Sequence, residues 1–265
     1  MLFSYRLSPQ SPFPGPLEDC IQAIDYISSN SDSLRIDTQR IAVGGDSAGG
    51  NLAASVSLRL RNRIKVQLLI VPFLQLFSFN TTSVVENGQY FSETCNNFGQ
   101  LAFAANYIGS GWEYIGDIIT SNHTSIQLKT SKYASYVDQN KWMDRSFIHS
   151  ELRGKDISQR KDFGRNDVSK EFIKKMTDPY LSPLMADDSM LRDLPRAYVM
   201  TAGYDFIRDD GIMYAKRLKH AGNPVHHVNH RTAFHNAHTF VEGPLKLVLA
   251  DEIVQDIVNY LQMHV

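Results

Sequence analysis

Three side chains in this sequence of 265 residues have the types and the order needed for acyl transfer: Ser47, Asp205 and His235. Ser47 lies in Gly45-Asp46-Ser47-Ala48-Gly49. A serine hydroxyl is a poor nucleophile at neutral pH. It needs a base to take its proton, and the base needs a carboxylate to hold its orientation. The G-x-S-x-G spelling suits a serine placed on a strained turn between a strand and a helix, with its hydroxyl exposed. Side chains two residues either side of such a serine are expected to collide, so both positions are expected to require glycine. The helix that follows would aim its free N–H groups at the serine. The Ala48 N–H is therefore the expected donor to a developing oxyanion.

In this arrangement the partners come in the chain order serine, then acid, then histidine, each on a loop after a strand. Asp205 follows the apolar run Leu194–Thr201, and His235 follows the short run Val225–Val228. Position leaves alternatives. Asp209 and Asp210 are nearby carboxylates, although both sit where a helix begins and capping is their ordinary use. His220, His226, His227, His230 and His238 compete with His235. The same histidines suggest zinc as a rival chemistry, but neither HExxH nor a Cys/His finger spacing occurs. No metal and no cofactor is expected.

The elements that would position these groups follow from periodicity. Residues 1–7 read as a strand. Leu17, Cys20, Ile21, Ile24 and Ile27 fall at helical spacing and predict a helix over about 15–29. Residues 30–38 read as polar loop. A short buried strand is expected over 39–44, a small-residue helix over 48–62, and a second buried strand over 66–71, stopped by Pro72. Strand–helix alternation predicts a mostly parallel sheet with helices on both faces, an α/β class. The pattern lapses over 73–190. Asn97–Ile108 is the clearest helix there, with Phe98, Leu101, Phe103 and Tyr107. Residues 130–175 are polar and charged, and 145–170 could be a loosely packed excursion. A strand over 194–201, a helix over Arg208–Ala221 stopped by Gly222, a strand over 225–228 and a helix over Val248–Leu261 complete the chain. The expected organisation is one domain over 1–265, with its core in 1–72 and 190–265 and a lid-like insertion over about 73–190.

The bulk numbers exclude some partners. Net charge is −1, with 43% hydrophobic and 21% charged residues. That is ordinary for a globular chain and offers no basic surface for nucleic acid. No apolar run reaches membrane-spanning length. The two cysteines, Cys20 and Cys95, could pair or stay free and do not decide a compartment. Asn80-Thr81-Thr82 and Asn122-His123-Thr124 have the form of glycosylation acceptors and hint only weakly at a secretory route.

Several strings together carry a family resemblance. They are Tyr5-Arg6-Leu7-Ser8-Pro9 with Phe13-Pro14 and Glu18-Asp19, Gly45-Asp46-Ser47-Ala48-Gly49-Gly50-Asn51-Leu52-Ala53, Leu181-Ser182-Pro183-Leu184, Asp205 with Arg208-Asp209-Asp210-Gly211, and Phe234-His235. The chain resembles the arylacetamide deacetylase and hormone-sensitive-lipase branch of α/β-hydrolases, most weakly over 120–175. The resemblance implies a serine carboxylic-ester hydrolase with Ser47 as nucleophile, Asp205 as acid and His235 as base. It implies a small hydrophobic ester or amide substrate. It also allows an association with the endoplasmic reticulum, since microsomal members carry a membrane anchor. Two departures stand out. Thr232-Ala233-Phe234-His235-Asn236 stands where Asp-Gly-Phe-His-Gly is common. The family's His-Gly-Gly loop, which supplies oxyanion donors, lies upstream of the Tyr-Arg-Leu strand and is not in this sequence. The expectation is then a sheet lacking its first strands, with a gap or rearranged edge, and weakened turnover. A rival reading is a relative that kept the fold and acts by binding a ligand or partner. Phe73, Leu74, Leu76, Phe77 and Phe79 could line an acyl pocket or form a patch for a lipid surface.

Overall fold

A computed structural model of the chain describes residues 1–2, 4–87, 97–148 and 161–265. Its centre is a sheet of parallel strands, β1 (Ala42–Asp46), β2 (Val66–Ile70), β3 (Arg196–Tyr204) and β4 (Val225–Phe234), in spatial order β1-β2-β3-β4. Around it stand helices α1 (Gly15–Ser29), α2 (Ser31–Leu34) and α3 (Ala48–Arg59). Then come α4 (Thr82–Asn87), α5 (Asn97–Ile108), α6 (Ile115–Ile119), α7 (Ile126–Lys129), α8 (Lys132–Tyr136), α9 (Gln139–Trp142) and α10 (Lys170–Met176). Helices α11 (Arg208–His220) and α12 (Val248–His264) follow β3 and β4.

The alternation of side chains along the strands assigns the two faces. Leu69, Ala197 and Val199 point into one core with Ala54 and Leu58 of α3 and Ile212, Met213 and Tyr214 of α11. Val66, Leu68, Tyr198 and Met200 point the other way and are covered by Ile253 and Tyr260 of α12. Leu17, Cys20 and Ile24 of α1 pack on Leu52 and Val56 of α3. Cys20 is a buried free thiol, and Cys95 lies outside the described residues.

Two expectations about the first strands need correction. Residues 1–7 form no strand among the described residues (residue 3 is outside them). A strand needs a neighbour to take its backbone bonds, and this segment is tied by side chains instead: the Arg6 guanidinium and backbone N–H both donate to the Asp19 carboxylate of α1. The strand into Ser47 is not buried. In β1 the residues Gly44 and Asp46 are exposed, because β1 pairs only with β2 among the described residues and stands at the sheet edge. β4 runs through Phe234, six residues beyond the short run its apolar residues suggest, since it borrows its partners from β3.

The segment between β2 and β3 is packed where it is described. Phe77, Leu101, Ile108, Ile118, Phe172 and Met176 are all buried and join the core over α3 and α11. On the alternative reading of 145–170 as a loosely packed excursion, Val168 is buried in the same cluster while most of its neighbours in 161–170 are exposed, and 149–160 lie outside the described residues. Phe103 points to solvent, 74% exposed, and the Phe98 side chain lies outside the described residues. Of the sequons, Asn122 donates its amide to Asp117, and Thr124, fully buried, donates its hydroxyl to the Phe77 carbonyl.

Candidate active site

The sharp turn comes first. β1 ends at Asp46 and α3 begins at Ala48, so Ser47 alone makes the turn, at φ 52° and ψ −112°. A positive φ on a residue with a Cβ costs of the order of 1–2 kcal/mol and must be held by its surroundings. Here the Ser47 N–H donates to Ile70 O at 2.9 Å, and the Ser47 carbonyl accepts from Phe73 N at 3.2 Å. The end of β2 thus clamps the turn on both sides. Val71 in that clamp also has a positive φ, 39°, and gives its N–H to Met200 O of β3. Asn51 of α3 bridges Phe73 O and Leu181 O with its carboxamide at 2.8 Å each, which explains an asparagine in the Gly-Gly-Asn string.

The two glycines around the serine are not equivalent. A Cβ on Gly45 would sit 2.5 Å from the carbonyl carbon of Gly49. A Cβ on Gly49 would meet nothing within 4 Å. The expectation that both positions exclude side chains therefore holds for Gly45 and fails for Gly49. Gly50 is the tight one instead, with Pro72 at 2.9 Å from its missing Cβ. The helix leaves the turn so closely over β2 that the crowding falls one residue later.

Asp205 follows β3 directly and His235 follows β4 directly, so all three groups stand at the carboxyl end of the parallel sheet. That is where parallel α/β sheets hold ligands. His235 Nδ1 lies 2.8 Å from Asp205 Oδ2, and His235 Nε2 lies 3.0 Å from Ser47 Oγ. A carboxylate can only accept, so the proton is on Nδ1, and Nε2 is left to accept from the serine hydroxyl. Asp205 has a second anchor, Oδ1 accepting from Ile207 N at 3.1 Å. Its side chain is fully buried, and that of His235 is 11% exposed. Burial alone would push the imidazole pKa down. The Asp205 carboxylate and its hydrogen bond outweigh that, helped by Asp46, and the pKa of His235 is raised. Ala48 opens α3, so its N–H belongs to the first turn, whose donors have no intrahelical acceptor.

The competitors are placed elsewhere. Asp209 accepts from Thr82 Oγ1, Ser83 N and Arg208, and Asp210 accepts from Gln75. His220 packs on Trp142, His226 stacks on Tyr198 and Tyr260, His227 meets Thr201 Oγ1, and His230 lies near Asp256. His238 is half-buried, three residues past His235, with its pKa lowered by burial. Among the described residues no group of three or more His, Cys, Asp or Glu side chains could hold a metal ion. Nor is any described helix long and apolar enough to cross a membrane.

Periodicity did not single out Thr82, Ser83, Glu86 or Asn87, four consecutive-turn residues of α4. Ser83 and Asn87 hold the segment that carries Asp205, and Thr82 and Glu86 hold Asp209 and Arg208 at the start of α11. The sequence signal was confined to a short polar stretch inside an otherwise irregular segment.

Comparison with known proteins bears on the family and the fold. The sequence profile of the alpha/beta hydrolase fold matches residues 1–112 and 155–239. Neutral cholesterol ester hydrolase 1 of Rattus norvegicus is 33% identical over 248 residues, 91% of this chain and 59% of that protein. Arylacetamide deacetylase of Bos taurus is 34% identical over 246 residues, 90% of this chain and 59% of that protein. The chain thus spans about three fifths of the length of these curated relatives. Among solved structures, EstE1, a thermophilic carboxylesterase cloned from a metagenomic library, superposes with a TM-score of 0.68 at 26% identity, covering 98% of this chain and 67% of that one. An esterase of Pyrobaculum calidifontis gives 0.67 at 27%, covering 98% and 64%. A parallel sheet, a serine on a strained strand-to-helix turn and a matching profile over most of the sequence converge: the chain belongs to the alpha/beta hydrolase fold family, on its arylacetamide deacetylase-like branch.

Proposed function

We propose that the chain is a serine carboxylic-ester hydrolase in which Ser47, His235 and Asp205 act as nucleophile, base and acid. The observation that carries the reading is the unbroken line from Asp205 Oδ2 through His235 to Ser47 Oγ, with contacts of 2.8 and 3.0 Å. Ser47 Oγ attacks the carbonyl carbon of a small hydrophobic ester, and His235 Nε2 takes its proton. The imidazolium is stabilised by Asp205, which stays ionised. The oxyanion forms where the Ala48 N–H points, and one such donor is typically worth about 10²–10³ in turnover. His235 then gives its proton to the departing alcohol. A water, deprotonated by the same nitrogen, releases the acid and restores the serine. Neighbouring names support an ester substrate: the relatives include a cholesterol ester hydrolase and a deacetylase, and the structural neighbours include esterases. The segment between β2 and β3 would cover the site as a lid.

The test is a short-chain 4-nitrophenyl ester together with a fluorophosphonate probe, applied to wild type and to Ser47→Ala. Turnover and labelling should both appear in wild type and vanish in the variant. Equal rates in the two proteins would remove Ser47 from the reaction. A wild type that neither turns over nor labels would favour the reading as a binding relative.

A further inference from the structure

We propose that α4, through Asn87 and Ser83, is a positioning device for the triad, so that the segment inserted between β2 and β3 acts on the catalytic acid through its backbone. The proposal rests on the reading of Ser47, His235 and Asp205 as a triad.

The segment 203–207, the last residues of β3 and the turn after them, has to hold Asp205 against His235. β3 is interrupted between Ala202 and Tyr204 by a register shift, and α11 starts only at Arg208. The regular ladder is thus disturbed just before Asp205, at the point where accuracy matters. Arg208 supplies part of the holding, its N–H donating to Asp205 O at 3.2 Å and its guanidinium to Gly203 O at 3.3 Å, and α4 supplies the rest. Asn87 Nδ2 donates to Asp205 O at 3.0 Å and reaches Gly203 O at 3.4 Å, and Ser83 Oγ donates to Phe206 O at 2.7 Å. Three carbonyls of this segment are thus held by two side chains of one helical turn. Both residues are buried, so these bonds do not compete with water.

The helix is itself pinned. Thr82 Oγ1 and Ser83 N both donate to Asp209 Oδ2, at 2.5 and 2.7 Å. The Arg208 guanidinium joins Glu86 at 2.7 Å and Asp209 at 2.9 Å, with every one of these side chains buried. An ion pair in such a place adds little net stability against an apolar substitute, while losing one partner is costly. What it does supply is a fixed distance between α4 and the start of α11, and Asp205 lies between them. A displacement of catalytic groups by about 1 Å can cost of the order of 100-fold.

The groups that face His235 are Asp205 from the end of β3, Asp46 from the end of β1 and His238 from the turn after His235 itself. Slackening the Asp205 loop removes the largest favourable influence on the imidazolium and leaves burial, which works the other way.

The experiment uses the full chain and the variants Asn87→Ala, Asn87→Gln and Ser83→Ala. Folding is checked by thermal melting. The His235 imidazole is titrated by NMR with ¹³C-labelled histidine, assigned from the spectrum of His235→Gln, and kcat and KM are measured on a 4-nitrophenyl ester across pH. Asn87→Ala should lower kcat by about 10- to 100-fold with KM nearly unchanged. It should also move the His235 midpoint down. Asn87→Gln, which keeps the amide donors, should recover part of both. A folded Asn87→Ala with wild-type kcat and an unmoved His235 midpoint overturns the proposal, even if its melting temperature has dropped. If Asn87→Ala does not fold, Ser83→Ala decides in the same way, with a smaller effect in the same direction expected. A wild type without turnover defeats the hydrolase reading alone, because the His235 titration in the variants still decides this one.

Discussion

His235 shows how opposed influences on one residue set a measurable quantity. Burial disfavours its charged form, the Asp205 carboxylate favours it, and the carboxylate wins. As a base the imidazole must be neutral. Turnover should therefore rise with pH through a midpoint above the ordinary value of 6.5. In Asp205→Asn burial prevails, so the midpoint should fall below that value while kcat drops by about 10⁴. A pH–rate profile of both proteins checks the sign. The neighbouring Asn236 occupies the left-handed region at φ 63°, where the family pattern commonly has glycine. Asparagine tolerates that region better than other side chains. Asn236→Gly should stay within a few tenths of a kcal/mol of wild type, and Asn236→Ala should lose about 1 kcal/mol, read from denaturant melts. A departure that is visible in the sequence thus becomes conservative once its backbone angle is known.

At the scale of elements, the site depends on how closely neighbouring backbones approach. A Cβ on Gly203 would run into the carbonyl oxygen of Arg231 on β4, where the β3–β4 register shifts. Gly203→Ala should force the strands apart, cost about 1–3 kcal/mol, and lower kcat by moving Asp205 away from His235. Gly45→Ala should be as harmful, because the obstacle is the backbone of Gly49, which cannot rotate aside. Gly49→Ala places its Cβ in open space and should fold with little loss. Melting curves for the three variants, beside 4-nitrophenyl ester rates, test that order. The spelling G-x-S-x-G suggests symmetry, and only packing distances show that the constraint is one-sided.

For the molecule as a whole, histidines outside the site contribute to acid sensitivity. His123 is fully buried and His227 is partly buried, and desolvation lowers the pKa of each to about 4. Below about pH 6.5 the unfolded chain binds protons at these positions while the folded chain does not, so falling pH favours the unfolded state. Their stabilising contribution is complete above about 6.5 and is lost as pH falls toward 4, up to roughly 3 kcal/mol each. His235, with its raised pKa, acts in the opposite sense: its share is present at low pH and fades as pH rises through its midpoint. Melting temperature should fall between pH 6.5 and 4, and His227→Gln should flatten that fall. An unchanged slope in the variant would exclude His227 as a source.

Much of this could be read before any coordinates. The helices Gly15–Ser29 and Arg208–His220 announce themselves because one face repeats at helical spacing, and β2 because a short apolar run ends at Pro72. The turn at Ser47 is legible because small residues are forced on it locally. The sequence by itself determined which groups follow strands, and in which order. It could not determine which of the six histidines between residues 220 and 238 meets Ser47. That meeting depends on strand order and register, which set how the ends of β1, β3 and β4 converge, and these are cooperative properties of the packed sheet. The grip of α4 on the Asp205 loop was equally hidden. Its residues are more than 110 positions from the carbonyls they hold and carry no periodic signal of their own. Local patterning writes the elements. Contacts between residues far apart in the chain exist only after the chain has closed on itself, and here they decide the geometry of the site.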